Sequence, residues 1–165
     1  MKRRHHFLFL LFFFGHHQFA ICQASSASRM EFMIGKWDLF SNGSVMGKST
    51  IDTILEKHVI EEDFVEFPPE PFLGRSWTTY DSVMNKWHMT TVDNQGNHSV
   101  FFGSWRDGKL VFERFFKNKK GEDRIQKLTY YNITANSFDW TFNASFDAGL
   151  SWKTYYTVHY VRKLK

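Results

Sequence analysis

Cysteine is almost absent from this chain. Cys22 stands alone among 165 residues, so no intramolecular disulfide can form and a hydrophobic core must hold the fold. Proline is nearly as scarce: Pro68, Pro69 and Pro71 all fall within Phe67–Phe72, which leaves strand pairing uninterrupted elsewhere. No apolar run approaches the roughly 20 residues of a membrane-spanning helix. The mean hydropathy of −0.42 excludes a multi-span helical membrane protein. Excess charge is also missing once its source is traced. Residues 1–24 contain no acid, and Lys2, Arg3 and Arg4 supply three of the net +4, so the remainder carries +1. A body so close to neutral lacks the footprint of phosphate-backbone binding, and no nucleic-acid partner is expected. Lys117, Lys119 and Lys120 precede Gly121 and read as a solvated hairpin tip.

The usual signals of chemistry are missing as well. There is no Gly-X-Ser-X-Gly elbow and no glycine-rich phosphate loop. Four histidines (His5, His6, His16, His17) lie in the first two dozen residues, leaving His58, His88, His98 and His159. None of these form an i, i+4 pair on a helix, so no metal site and no cofactor are expected. The acidic cluster Glu61, Glu62, Asp63, Glu66 and Glu70 runs along a strand into the prolines. Acid–base work would need one of them buried, and the pattern reads instead as a solvated outer face. Nothing marks an enzyme.

The N-terminal stretch reads as an address. Met1–His6 is basic, Phe7–Phe14 is apolar, and small residues follow at Ala20, Ala24, Ser25, Ser26 and Ala27, the three-part layout of a secretory signal peptide. The expected organisation is a signal peptide over 1–24, a short linker over 25–31 and one domain over 32–165. Cleavage fits after Ala24 or after Ala27. A lipoprotein cysteine at Cys22 is disfavoured by the bulky Ile21 before it. The expected localisation is therefore exported, periplasmic or secreted, with no stable membrane insertion after cleavage. Asn42, Asn97, Asn132 and Asn143 begin Asn-X-Ser/Thr sequons, equally readable as polar turn residues.

What the chain does have is aromatic residues: 19 Phe, 6 Trp and 6 Tyr, 19% in all, which suit pleated, half-buried surfaces. From Lys36 to Arg162 they sit in short strand-like runs separated by turn chemistry, such as Ser41-Asn42-Gly43, Asp93-Asn94-Gln95-Gly96 and Arg106-Asp107-Gly108. That predicts an all-β antiparallel up-and-down barrel of about 8–10 strands, because consecutive strands of this number close to remove their edges. A two-sheet sandwich is the alternative. Ser28–Ile34 is the one helical candidate.

Two resemblances refine this. Ile34-Gly35-Lys36-Trp37 places a Gly-X-Trp on the first strand and Arg162 lies near the end of the last, a pairing similar to lipocalin-like (calycin) barrels. The resemblance implies that Trp37 plugs one end while Arg162 packs across its indole. Tyr80–Glu113 (YDSVMNKWHMTTVDNQGNHSVFFGSWRDGKLVFE) and Ser137–Lys163 resemble an uncharacterised family, domain of unknown function 1579, over roughly Phe32–Lys163. Asp147-Ala148-Gly149-Leu150 departs from the glycine-rich turn expected there. The resemblance implies a lipocalin-like barrel and no particular activity.

Alternation nominates Trp77, Trp87, Met89, Phe102, Phe112, Phe138, Trp140 and Tyr156 as an inward, ligand-lining set. If Arg162 points at Trp37, His159 faces outward. Three functions are open. The first is non-enzymatic binding of a small hydrophobic ligand. The second is a structural or interaction protein whose barrel is plugged by its own aromatics. The third is a haem-binding or enzymatic barrel using His159 or His88. The sequence leaves the oligomeric state undetermined.

Overall fold

The computed structural model of the chain describes residues 26–163 with the exception of position 70. The expected signal peptide and Glu70 lie outside the described residues. A 3-10 turn over Ser26–Met33 leads into ten strands. These are β1 (Gly35–Ser41), β2 (Ser44–Ile54), β3 (Val59–Glu66), β4 (Leu73–Asp81), β5 (Lys86–Asp93), β6 (His98–Arg106), β7 (Lys109–Lys117), β8 (Asp123–Tyr131), β9 (Ser137–Ser145) and β10 (Lys153–Arg162). Each pairs antiparallel with the next, and β1 pairs with β10, so the sheet closes into an up-and-down barrel rather than a sandwich.

Local chemistry explains the connections. Asn42 and Gly43 both have positive φ, at 50° and 80°, as do Asp107 and Gly108, at 49° and 74°. Two consecutive left-handed residues make the tight hairpin whose twist matches that of the flanking strands. The last hairpin keeps its tip ordered through Asp147, whose carboxylate accepts hydrogen bonds from the Ser151 amide, the Ser151 hydroxyl and Ser145 Oγ. Those bonds pull its pKa down to about 2. The sequon asparagines also serve as turn and strand residues. Asn97 bonds Asp93, Asn132 bonds Asp139, and Asn143 bonds Thr154.

Closing the sheet gives it an inside, and the inside is packed at one end only. The 3-10 turn and the loops after β2, β4, β6 and β8 lie at this closed end. Met30 and Met33 bury there with Trp37, Leu39, Trp87, Leu110, Phe112 and Phe138. Met30 is fully buried, so barrel packing begins before the expected domain start at Phe32. Gly103 faces this core on β6, where an added Cβ would lie 2.5 Å from two ring atoms of Phe112. Phe112 has no exposed surface and nowhere to retreat. Gly103→Ala is therefore expected to lower stability by about 1–3 kcal/mol through overpacking. Chemical denaturation checks this, and wild-type stability in the variant would contradict the packing.

Candidate functional site

The plug at the closed end is built from opposite ends of the chain. Trp37 pairs with Arg162 across the β1–β10 seam. The guanidinium carbon of Arg162 lies 4.2 Å from the indole centroid. Its nitrogens donate to the carbonyls of Ala135 (2.7 Å), Ile34 (2.7 Å) and Phe32 (3.0 Å). The indole Nε1 donates to the Met33 carbonyl at 2.8 Å. A cation thus satisfies carbonyls that the strand ladder cannot reach, and it lies over the face of the ring most attractive to positive charge.

Above the plug the barrel is hollow. A cavity of about 570 Å³ opens at the end carrying the β1–β2, β3–β4, β5–β6, β7–β8 and β9–β10 turns. Phe64, Met89, Phe101, Leu128, Phe142 and Val158 give it apolar walls. At its floor Glu62 is buried on β3. Ser49 Oγ donates to Glu62 Oε1 at 2.7 Å and the Tyr160 hydroxyl donates to the same oxygen at 3.3 Å. Neither bond uses Oε2. Burial pushes the Glu62 pKa up, opposed by the bonds from Ser49 and Tyr160 and reinforced by the nearby charge of Asp63. Tyr130 and Tyr160 are pushed well above the usual phenol range, first by burial and then by the Glu62 charge, so both stay neutral. The wall above carries Arg114, whose Nη1 donates to Ser99 Oγ.

Three of the eight residues nominated as cavity lining are found there: Met89, Trp140 and Tyr156, the last at the mouth. Trp87, Phe112 and Phe138 point inward but are packed into the closed end below the cavity. Trp77 and Phe102 correct the sequence reading, because both face outward. Ser76 and Thr78 are the buried residues of β4, and the Trp77 indole instead donates to Glu61 at 2.8 Å on the outer surface. On β6 the buried positions are Phe101 and Gly103, while Phe102 is 43% exposed and stands edge-on to His88 with ring centroids 4.8 Å apart.

The acidic cluster is a second correction. Glu61 and Asp63 do lie outside, Asp63 pairing with Arg75 at 2.6 Å. Glu62 and Glu66 take the alternate positions of β3 and line the cavity. The third correction concerns the histidines. His159 faces outward and meets Asp139 at 2.6 Å, and His88 lies on the outer face of β5, so neither reaches the cavity that haem or catalysis would need. Arg114, Phe101 and Tyr160 were not singled out from sequence, and Glu62 was named only within a cluster assigned to the outer face. Alternation around a correctly placed Ile60 or Val158 would have found Glu62 and Tyr160. No known family profile matches the chain, and no curated protein sequence matches it.

Proposed function

We propose that this is an exported, lipocalin-like binding protein that carries one small hydrophobic ligand and catalyses no reaction on it. The observation that carries the reading is the division of the interior. One half is packed solid, and the other holds about 570 Å³ of mostly apolar, pre-formed space with a single open end. A barrel stabilised by its core alone has no need of such a space, since cavities lined by apolar groups cost stability. Most of the lining surface is apolar, and polar side chains such as Glu62 and Arg114 face it at separate depths, which suits recognition of one end of a ligand. Export rests on the signal-like segment 1–24, and the likeness of Tyr80–Glu113 to the uncharacterised family is kept with this reading.

The test combines native mass spectrometry of the protein purified gently from its own host with fluorescence titration of N-phenyl-1-naphthylamine. An adduct of a few hundred daltons on a chain cleaved near residue 24 is expected, together with saturable dye binding. Ser76 is buried on β4 and lines the cavity, so Ser76→Trp is expected to fill it and cut dye affinity about tenfold or more. An apo mass, with no dye binding and no response to a lipid and aromatic panel, would overturn the reading.

A further inference from the structure

We propose that the ligand has an apolar or aromatic body and an acidic head, a carboxylate or comparable anion, and that Arg114 holds that head. The inference rests on the cavity being the binding site. Arg114 occupies an inward position of β7, between Phe112 and Phe116 on the same face, and lines the cavity wall. Its guanidinium carbon lies 4.3 Å from the Phe116 centroid, a cation–π contact within the same wall.

The arginine is unusual in this chain for what it lacks. Arg75, Arg106 and Arg124 each pair with a carboxylate, through Asp63, Glu113 and Glu122. Arg162 is taken up by three carbonyls. Arg114 has no carboxylate within 4.0 Å among the described residues, and its one side-chain partner is the Ser99 hydroxyl. An arginine carries five N–H donors, so most of its fork has no side-chain partner. Burial alone draws its pKa down, with no anion acting in the other direction. A cation in a partly desolvated wall is an electrostatic cost that a bound anion removes, and a guanidinium grips a carboxylate through two parallel bonds.

The other ionisable groups facing the cavity agree with this arrangement. Glu62 is sunk in the floor and kept toward its neutral form by burial. Asp93 is at the mouth, and its oxygens accept from the amides of Gln95 and Asn97 and from the Asn97 side chain. Glu66 ends β3 at the rim and makes no ion pair with Arg114. His98 stands exposed at the mouth. The floor therefore carries hydroxyls and a carboxyl held toward its neutral form, while the wall above carries a cation beside Phe101, Leu128 and Phe142, which places an acidic head at the level of Arg114 and the apolar body against those walls.

The experiment compares two competitors that differ only in the head. Dodecanoate and 1-dodecanol each displace N-phenyl-1-naphthylamine from the wild-type protein, Arg114→Gln and Arg114→Lys at neutral pH. In Arg114→Gln the acid is expected to weaken about tenfold while the alcohol and the dye change less than about twofold. Arg114→Lys should recover part of the acid's affinity. Equal losses for acid and alcohol, or no change in either, would overturn the proposal while leaving the cavity reading in place. Failure of the dye and the alcohol to bind the wild type would remove the cavity reading, and this inference with it. A second measurement needs no variant: carboxyl-labelled dodecanoate bound to the wild type is titrated by carbon NMR. The bound carboxyl is expected to ionise at lower pH than the free acid. Ionisation at or above the free value would also overturn the proposal.

Discussion

Replacing Trp37 with alanine is expected to remove about 3–5 kcal/mol of folding stability. Trp37 is 1% exposed and meets Phe138 edge-on at 4.8 Å and Tyr160 at 6.3 Å. Truncation empties that volume, leaves the Met33 carbonyl without its indole donor and strips the Arg162 guanidinium of its aromatic base. The damage falls on the seam where β1 meets β10, the pairing that turns a sheet into a closed barrel. Urea denaturation measures it directly. A double-mutant cycle with Arg162→Met should show a coupling of about 0.5–3 kcal/mol, since the two side chains are in contact. A loss below about 1 kcal/mol for Trp37→Ala would mean that the plug is not a principal closure of the barrel.

Glu62→Gln is expected to make the protein more stable at neutral pH and to lose that advantage in acid. Burial raises the carboxyl's pKa in the folded chain above its value in the unfolded one. Folding therefore favours the protonated form. Below the unfolded pKa both states are neutral and the residue costs nothing extra. As pH rises through the unfolded and then the folded pKa, the native state must either hold its proton or bury a charge, and stability falls. Glutamine keeps an oxygen that accepts from Ser49 and Tyr160 but cannot ionise. Melting temperatures across an acid-to-neutral series check the sign. The wild type should fall progressively below the variant as pH rises past the ordinary glutamate range. A constant difference at every pH would show that the carboxyl titrates as it does in water.

These two residues also mark how far the sequence could be read. The turns were legible because their chemistry is local. Asn42-Gly43 and Asp107-Gly108 need left-handed backbone, and few residue pairs adopt it so readily. The Trp37–Arg162 plug was legible through the resemblance of Gly35-Lys36-Trp37 and the late Arg162 to lipocalin-like barrels. Glu62 was not, because a strand's two faces differ by one step of register. The run Glu61-Glu62-Asp63 gives no polarity contrast by which to choose. Trp77 and Phe102 misled for the opposite reason: a large aromatic reads as core, but here small Ser76, Thr78 and Gly103 take the inward places. Inside a narrow barrel a bulky residue such as Phe112 needs a small one beside it, and the displaced aromatics cover the outer surface against Glu61 and His88.

By itself, then, the sequence determined the all-β class, the run of short antiparallel strands and the tight turns. Each of these depends on alternation, turn residues or composition within a few positions of chain. The tertiary structure alone decided that the strands number ten. It also decided that the aromatic plug fills only one end, and that a buried carboxyl and an arginine without an acidic partner face the space left at the other. Those outcomes depend on which residues from distant strands share the interior. That is set by register and by the fit of side-chain volumes across the barrel, neither of which is written in any one segment.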